Sequence, residues 1–275
     1  MAVYEWNGTT DSAWGTATNF SPSGTPVNND TVNVVDGTVA IDGSDTAADL
    51  DLFGVGPKYA ATGGIGSAAA YLLVAADVMN IHIAAPCGDV YIDSDEAGPD
   101  TTDLCTVRNE TLDKTVYLKG DFTTINVQSG RVKLVSGSAV TVNIAWDKVG
   151  PRPEVEIVAM NVSSELNCYS DCVPTITGSA TVATVNVGPC TVTNDKGTIT
   201  NYYMWNASSL VYHNNGDVTL IVAGDGFFDA TRDPRAKTFS TVRTFNGTVD
   251  KRNQSGNIII TNPVQEYGTV GKVIG

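Results

Sequence analysis

Apolar and polar residues alternate along much of the chain in short runs. Between 122 and 139 (FTTINVQSGRVKLVSGSA) apolar side chains fall at alternate positions, Ile125 and Val127, then Val132 and Leu134, on either side of a Ser-Gly pair at 129–130. Alternation with period two describes a strand with one buried face, and clusters of Gly, Asn, Asp and Ser between such runs mark turns. The same order of strand, break, second short strand and polar turn returns at 180–197, 198–216, 217–238 and 239–256, in units of 18 to 22 residues. Matching these units apolar for apolar places Val182, Ile199, Val218 and Val242 at equivalent strand openings. It places Val187, Trp205, Ala223 and Phe245 at a second equivalent position.

A unit this short cannot bury an apolar face alone, whereas stacked copies make a continuous interior column. The pattern therefore predicts an all-β fold, a right-handed parallel β-helix (β-solenoid) with each coil about 4.8 Å above the last and like residues over like. The right hand rests on the general preference of parallel crossovers. An antiparallel β-sandwich is the alternative; it also has short strands and frequent turns, but it does not require successive units to resemble one another. Residues 1–45 are read as an N-terminal cap or attachment segment, 46–262 as the solenoid body, and 263–275 as a C-terminal tail that leaves the repeat at Pro263, which cannot donate to a ladder. The stretch 80–180 is the less regular part of the body. Polar ladders are expected on the outer corners, from Asn194, Asn214, Asn215 and Asn253. A stack has open ends that must be covered, and Trp6, Trp14 and Phe20, set among turn signals, are expected to seal the first coil.

Composition narrows the function classes. Hydrophobic residues make up 42% of the chain and charged residues 17%, which excludes a disordered polymer. With 30 acidic and 16 basic residues the net charge is −14, which argues against a nucleic-acid partner, since such binding draws on Lys and Arg. Residues 1–8 show neither a basic nor an apolar stretch, so no secretory signal peptide is expected and the chain is expected to be made in the cytoplasm. The longest apolar run, 68–76, is about half of the ~20 residues a membrane-crossing helix needs, so no membrane partner is expected. Cys87, Cys105, Cys168, Cys172 and Cys190 are odd in number and belong to a reducing compartment on this reading, where they serve as small buried apolar residues.

The opening residues carry a resemblance. Glu5-Trp6-Asn7-Gly8, Ala13-Trp14, Ala17-Thr18-Asn19-Phe20-Ser21-Pro22, Gly24-Thr25-Pro26 and Asp30-Thr31-Val32 resemble the lead-in of bacteriophage virion proteins and of some bacterial surface β-solenoids, with Phe20 where a Trp is usual. The later cycles, ending in Asn257-Ile-Ile-Ile-Thr-Asn-Pro263, are similar to phage head decoration, head-fibre and cement-like proteins. The resemblance implies a structural protein of a tailed-phage virion: a non-enzymatic capsid decoration or cement protein, homotrimeric, made in the host cytoplasm. It would bind the major capsid protein on the capsid exterior and stabilise capsomer contacts, with no cofactor and no metal. The alternative is a tailspike or fibre that binds, and in some cases cleaves, host surface glycan; a surface adhesin is a third. The anchor, or the contact between subunits, is expected at Tyr4, Trp6, Trp14 and Phe20 or at Tyr267, Val270, Val273 and Ile274.

Candidate chemistry is sparse. Asp93, Asp95 and Glu96, with Asp100 and Asp103 nearby, offer carboxylates of the kind a glycosidase pairs, but such a run is more often a solvated loop. Basic residues are spread singly and suggest no lyase cleft. His82, between Ile81 and Ile83, is expected to point outward, and His213, before a polar turn, to be structural. Cys168-x-x-x-Cys172 with Cys190 one coil later loosely suggests zinc, but no fourth ligand is evident, so buried or adventitiously paired thiols are the expectation. Asp36, Asp42, Asp45, Asp49 and Asp51 gather oxygen donors without the spacing of a calcium loop. In Tyr202-Tyr203-Met204-Trp205 period two sends alternate residues inward, leaving half the cluster for a glycan or a partner.

Overall fold

The computed structural model describes residues 2–7, 10–11, 15–25, 30–34, 44–45, 49–54, 65–74, 78–83, 88–94, 102–252, 258–262, 264–267 and 271–275. The chain is all-β, a parallel β-solenoid; the helical element among the described residues is a single 3-10 turn, Ala17–Asn19. No helix among them is long and apolar enough to cross a membrane. The chain divides into two compact units, 1–139 with 147–152 and 140–146 with 153–275.

In the first unit Val3–Trp6 pairs in parallel with Asp30–Val34, and the stack continues through Asp49–Gly54, Val78–Ile83, Thr102–Asn109 and Thr115–Ser129. The opening strand is therefore a rung of the stack, with one antiparallel partner, Phe20–Ser21. Coils here are long: Asp49 lies beside Val78, and Val78 beside Leu104. They also pass close to one another. Gly137 adopts φ +101°, and a Cβ there would stand 1.9 Å from the carbonyl oxygen of Gly120, so any side chain would force the two coils apart.

The second unit has two parallel columns of strands that both start from one 17-residue strand, Glu154–Ser170, and continue in short ones. Glu154–Ser170, Thr181–Val187, Thr198–Met204, Val218–Ala223 and Lys237–Thr244 form one. Val173–Ile176, Thr191–Asn194, Leu210–His213, Phe227–Asp229 and Thr248–Asp250 form the other. Coils are shorter here, with Val185 beside Tyr202 and Tyr202 beside Ile221. The segment after Pro263, expected to leave as a tail, extends both columns: Gln265–Glu266 lies beside Arg243–Thr244, and Lys272–Ile274 beside Thr248–Asp250. Alternation sets the core, with one step of three interrupting period two in each of these strands. Val182, Val185 and Val187 are buried in one strand, Ile199, Tyr202 and Met204 in the next, and each such side chain contributes about 1.5–3 kcal/mol on leaving water.

Register departs from the apolar-for-apolar match in an instructive way. Val182 does lie beside Ile199, but Val187 lies beside Met204, and Met204 beside Ala223, which lies beside Thr244. Trp205 and Phe245 are each one residue beyond this column. Val242 lies beside Ile221, while Val218 lies beside Phe239. A slip of one residue moves a side chain to the other face, and matching by hydrophobicity cannot tell an inward ring from an outward one. The polar corners differ too. Asn214 donates to the Asp195 carboxylate at 2.8 Å and Asn215 to the Lys196 carbonyl at 2.8 Å, coil to coil as expected. Asn194, however, is buried, bracing its own turn against Gly197 through both amide atoms. Asn253 lies outside the described residues.

Candidate functional site: an exposed aromatic column

The register places three large rings in a row on the outside of the second unit. Trp205 is 60% exposed, Phe245 37% and Tyr267 45%. Ring centroids stand 6.3 Å apart between Trp205 and Phe245 and 4.9 Å between Phe245 and Tyr267, the latter pair stacked at 17°. Tyr203, half-buried, stacks on Trp205 at 6.4 Å. Gly224 lets the indole lie against the backbone, since a Cβ there would come within 2.3 Å of Trp205 Cε3. Tyr267 is held by its backbone N–H, which donates to the Thr244 carbonyl at 2.7 Å, and by its hydroxyl, which donates to Gln265 at 2.7 Å. Such a column offers apolar and π surface without titrating chemistry, suited to a protein partner or to the C–H face of a sugar.

The inward rings of the second unit, drawn from both columns, form a different arrangement. Tyr202, His213, Phe228 and Phe239 are fully buried. Because the Gly216 carbonyl can only accept, His213 donates through Nε2 (3.0 Å), leaving Nδ1 to accept from the Tyr202 hydroxyl at 3.1 Å. Burial pushes His213 down to about 4, with nearby Lys237 adding to the effect and the Gly216 hydrogen bond opposing it. Lys237 is also buried, its ammonium donating to the Asp233 carboxylate at 2.8 Å and to the carbonyls of Asp233 and Arg235 at 3.1 and 3.2 Å. Burial alone would raise the Asp233 carboxyl, but hydrogen bonds from Arg235 and Lys237 outweigh it and hold it well below the usual range.

The residues expected to anchor the chain are divided between the two units. Tyr4, Trp6 and Phe20 belong to the first unit, and Tyr267, Val273 and Ile274 to the second. Trp6 and Phe20 are 1% and 2% exposed and meet edge to face at 5.0 Å, with Tyr4 against Phe20 at 5.9 Å. Their rings fill the interior of the lead-in, as a seal for the first coil would. Asn19 fastens that lead-in, accepting from the N–H groups of Thr10 and Asp11 and donating to the Asp11 carboxylate at 2.7 Å. Val273 and Ile274 are half-buried in the last strand. Trp14 and Val270 lie outside the described residues. Of the expected anchors, Tyr267 stands in the exposed column; Trp205 belongs to the outward half expected of the Tyr202–Trp205 cluster, and Phe245 was missed because the match put it in line with Val187 and Ala223.

Other candidates resolve into structural roles or fall outside the description. The buried Asp93 carboxylate accepts from Lys119 at 2.5 Å, and Asp103 accepts from the Thr123 hydroxyl at 3.3 Å. Asp95, Glu96, Asp100, Asp36 and Asp42 lie outside the described residues, as do Cys87 and the side chains of His82, Asp45, Asp49 and Asp51. Half of the Tyr202–Trp205 cluster is core, as period two requires: Tyr202 and Met204 point inward. The thiols of Cys168, Cys172 and Cys190 converge, with all three Sγ atoms within 4.8 Å of one another. Comparison with family models, with curated proteins and with solved structures finds no match to this chain.

Proposed function

We propose that this protein is a non-enzymatic structural protein that docks on another macromolecule through Trp205, Phe245 and Tyr267, and that its partner is the major capsid protein on the outer surface of a tailed-phage head. The exposed column carries the docking half of this reading, because monomeric proteins rarely leave rings of this size in a row facing water. The capsid half rests on the resemblance of the opening residues to virion proteins. Cementing needs complementary area rather than reaction chemistry, about 800 Å² per partner for a stable contact, and a homotrimer would present the column three times.

Adding purified protein to capsids stripped of it tests the reading. The wild-type chain should bind and raise the heat resistance of the shells, and the double variant Trp205→Ala/Tyr267→Ala should stay folded while losing at least about tenfold in affinity, as for a pair of aromatic hot-spot residues. Shells that neither bind the protein nor gain resistance sink the capsid assignment. A second reading, a fibre that binds host glycan, is favoured by the exposed Trp205 indole. Retention on host polysaccharide, lost in Trp205→Ala, with no binding to shells, would select it.

A further inference from the structure

The convergence of three thiols has a local cause in the backbone. Cys168 ends the inward face of Glu154–Ser170. Asp171 then turns the chain through the left-handed region at φ 44°, which an Asp tolerates better than most residues, and Cys172 re-enters the interior. Cys190 arrives from the following coil. That coil crosses at Gly188, whose N–H donates to the Cys168 carbonyl at 2.7 Å, and where a Cβ would stand 2.8 Å from the same oxygen and 2.5 Å from that of Tyr169. Two coils are thus brought close at the point where their cysteines face each other. Exposures are 1%, 0% and 5%.

Thiol-to-thiol hydrogen bonds and burial push Cys168 well above the ordinary thiol range, whereas Cys105, without such neighbours, is raised to about 12 by burial alone. A disulfide would use two of the three sulfurs and strand the third in an apolar interior. A metal ion would use all three. With a metal–sulfur distance of about 2.3 Å, as in zinc thiolates, three sulfurs around one ion stand about 4 Å apart, which small side-chain rotations reach from the present spacing. Among the described residues no His, Asp, Glu or further Cys joins the cluster. Soft thiolates suit both zinc and Cu(I), but closed structural zinc sites take four protein ligands and this cluster offers three.

We propose that Cys168, Cys172 and Cys190 form a three-sulfur site for a soft, thiophilic cation, Cu(I), inside the second unit. Each ligating thiol gives up its proton, so uptake releases protons and weakens as pH falls. The bound ion ties 168–172 to the next coil and stabilises the fold by preferring it over the unfolded chain. This departs from the expectation of no metal, which rested on the want of a fourth ligand; three converging sulfurs suffice for Cu(I).

The full chain refolded without oxygen, with Cu(I) held by a competing chromogenic chelator, tests the site without requiring entry through a closed interior. One copper per chain should survive the chelator, with a higher melting temperature and an X-ray absorption signature of three sulfurs at about 2.3 Å. Cys168→Ala, Cys172→Ala and Cys190→Ala should each lose the copper, and Cys105→Ala should keep it. The absorption signature of the wild-type chain stands even if a variant misfolds. Copper retention no greater than in the triple variant, preferential retention of Zn(II), or a Cys168 disulfide in protein isolated from cells would each overturn the proposal.

Discussion

Two groups of rings in the second unit face opposite ways. Tyr202, His213, Phe228 and Phe239 meet inside at centroid distances of 5.2 to 6.0 Å, most of them edge to face. Trp205, Phe245 and Tyr267 line up outside, with ring planes within 39° of one another between neighbours. The inner rings fill volume between neighbouring coils, with the Tyr202 hydroxyl bonded to His213 Nδ1; the outer rings follow the rise of the stack and leave surface to water. Aromatic content alone therefore says little about role, and one residue of register decides between core and contact.

Substitutions should separate the two groups by the size of their effect. Phe228→Ala should cost the most, about 3–5 kcal/mol from lost burial and an unfilled cavity, read as a shift in urea midpoint. A cost under about 1 kcal/mol would mean the inner stack is loosely packed. Asp233→Asn should come next, about 3 kcal/mol, because it leaves the buried Lys237 ammonium without its carboxylate. Pairing it with Lys237→Met should recover much of the loss.

The buried histidine predicts a smaller, pH-dependent effect. Its folded value, about 4, lies below the ordinary 6.5, so above pH 6.5 neither state holds the proton and the full stability is present. Between 6.5 and about 4 the unfolded chain takes up the proton first, so stability falls with pH, by up to on the order of 3 kcal/mol for this group. His213→Gln should flatten that part of the profile in urea titrations at pH 7 and pH 4.5, and an unchanged slope would assign the acid sensitivity elsewhere. Smallest of all, Trp205→Ala should move stability by no more than about 0.5 kcal/mol, as for surface sites, while weakening attachment. A large loss of stability would place the indole in the core after all.

The two units also differ in how much of them could be read in advance. Short coils of near-constant length in the second unit made its repeat visible, and Val182 beside Ile199 followed from it. In the first unit the spacing from Asp49 to Val78 and on to Leu104 is longer and uneven, so no fixed period marks the coils although the pairing is just as parallel. In the lead-in the burial of Trp6 and Phe20 was legible, but not the pairing of Val3–Trp6 as a rung of the stack. The candidate site was legible only at Tyr267 and at the alternation through Tyr202–Trp205. The thiol cluster was legible as a trio, Cys168 and Cys172 with Cys190 one coil later, but not the convergence of its sulfurs in the interior.

Alternation, turn residues and repeat length, all local properties, determined by themselves that the repeating part of this chain forms strands stacked in parallel, because period two and an 18- to 22-residue cycle have few other ways to bury an apolar face. Which residues meet across coils was decided only by the tertiary structure. Turn lengths shift the register by single residues, and close crossings such as Gly188 over Cys168 depend on backbone from separate coils arriving at one point. That is why Trp205 and Phe245 came to lie outside and Cys190 came to lie against Cys168 and Cys172.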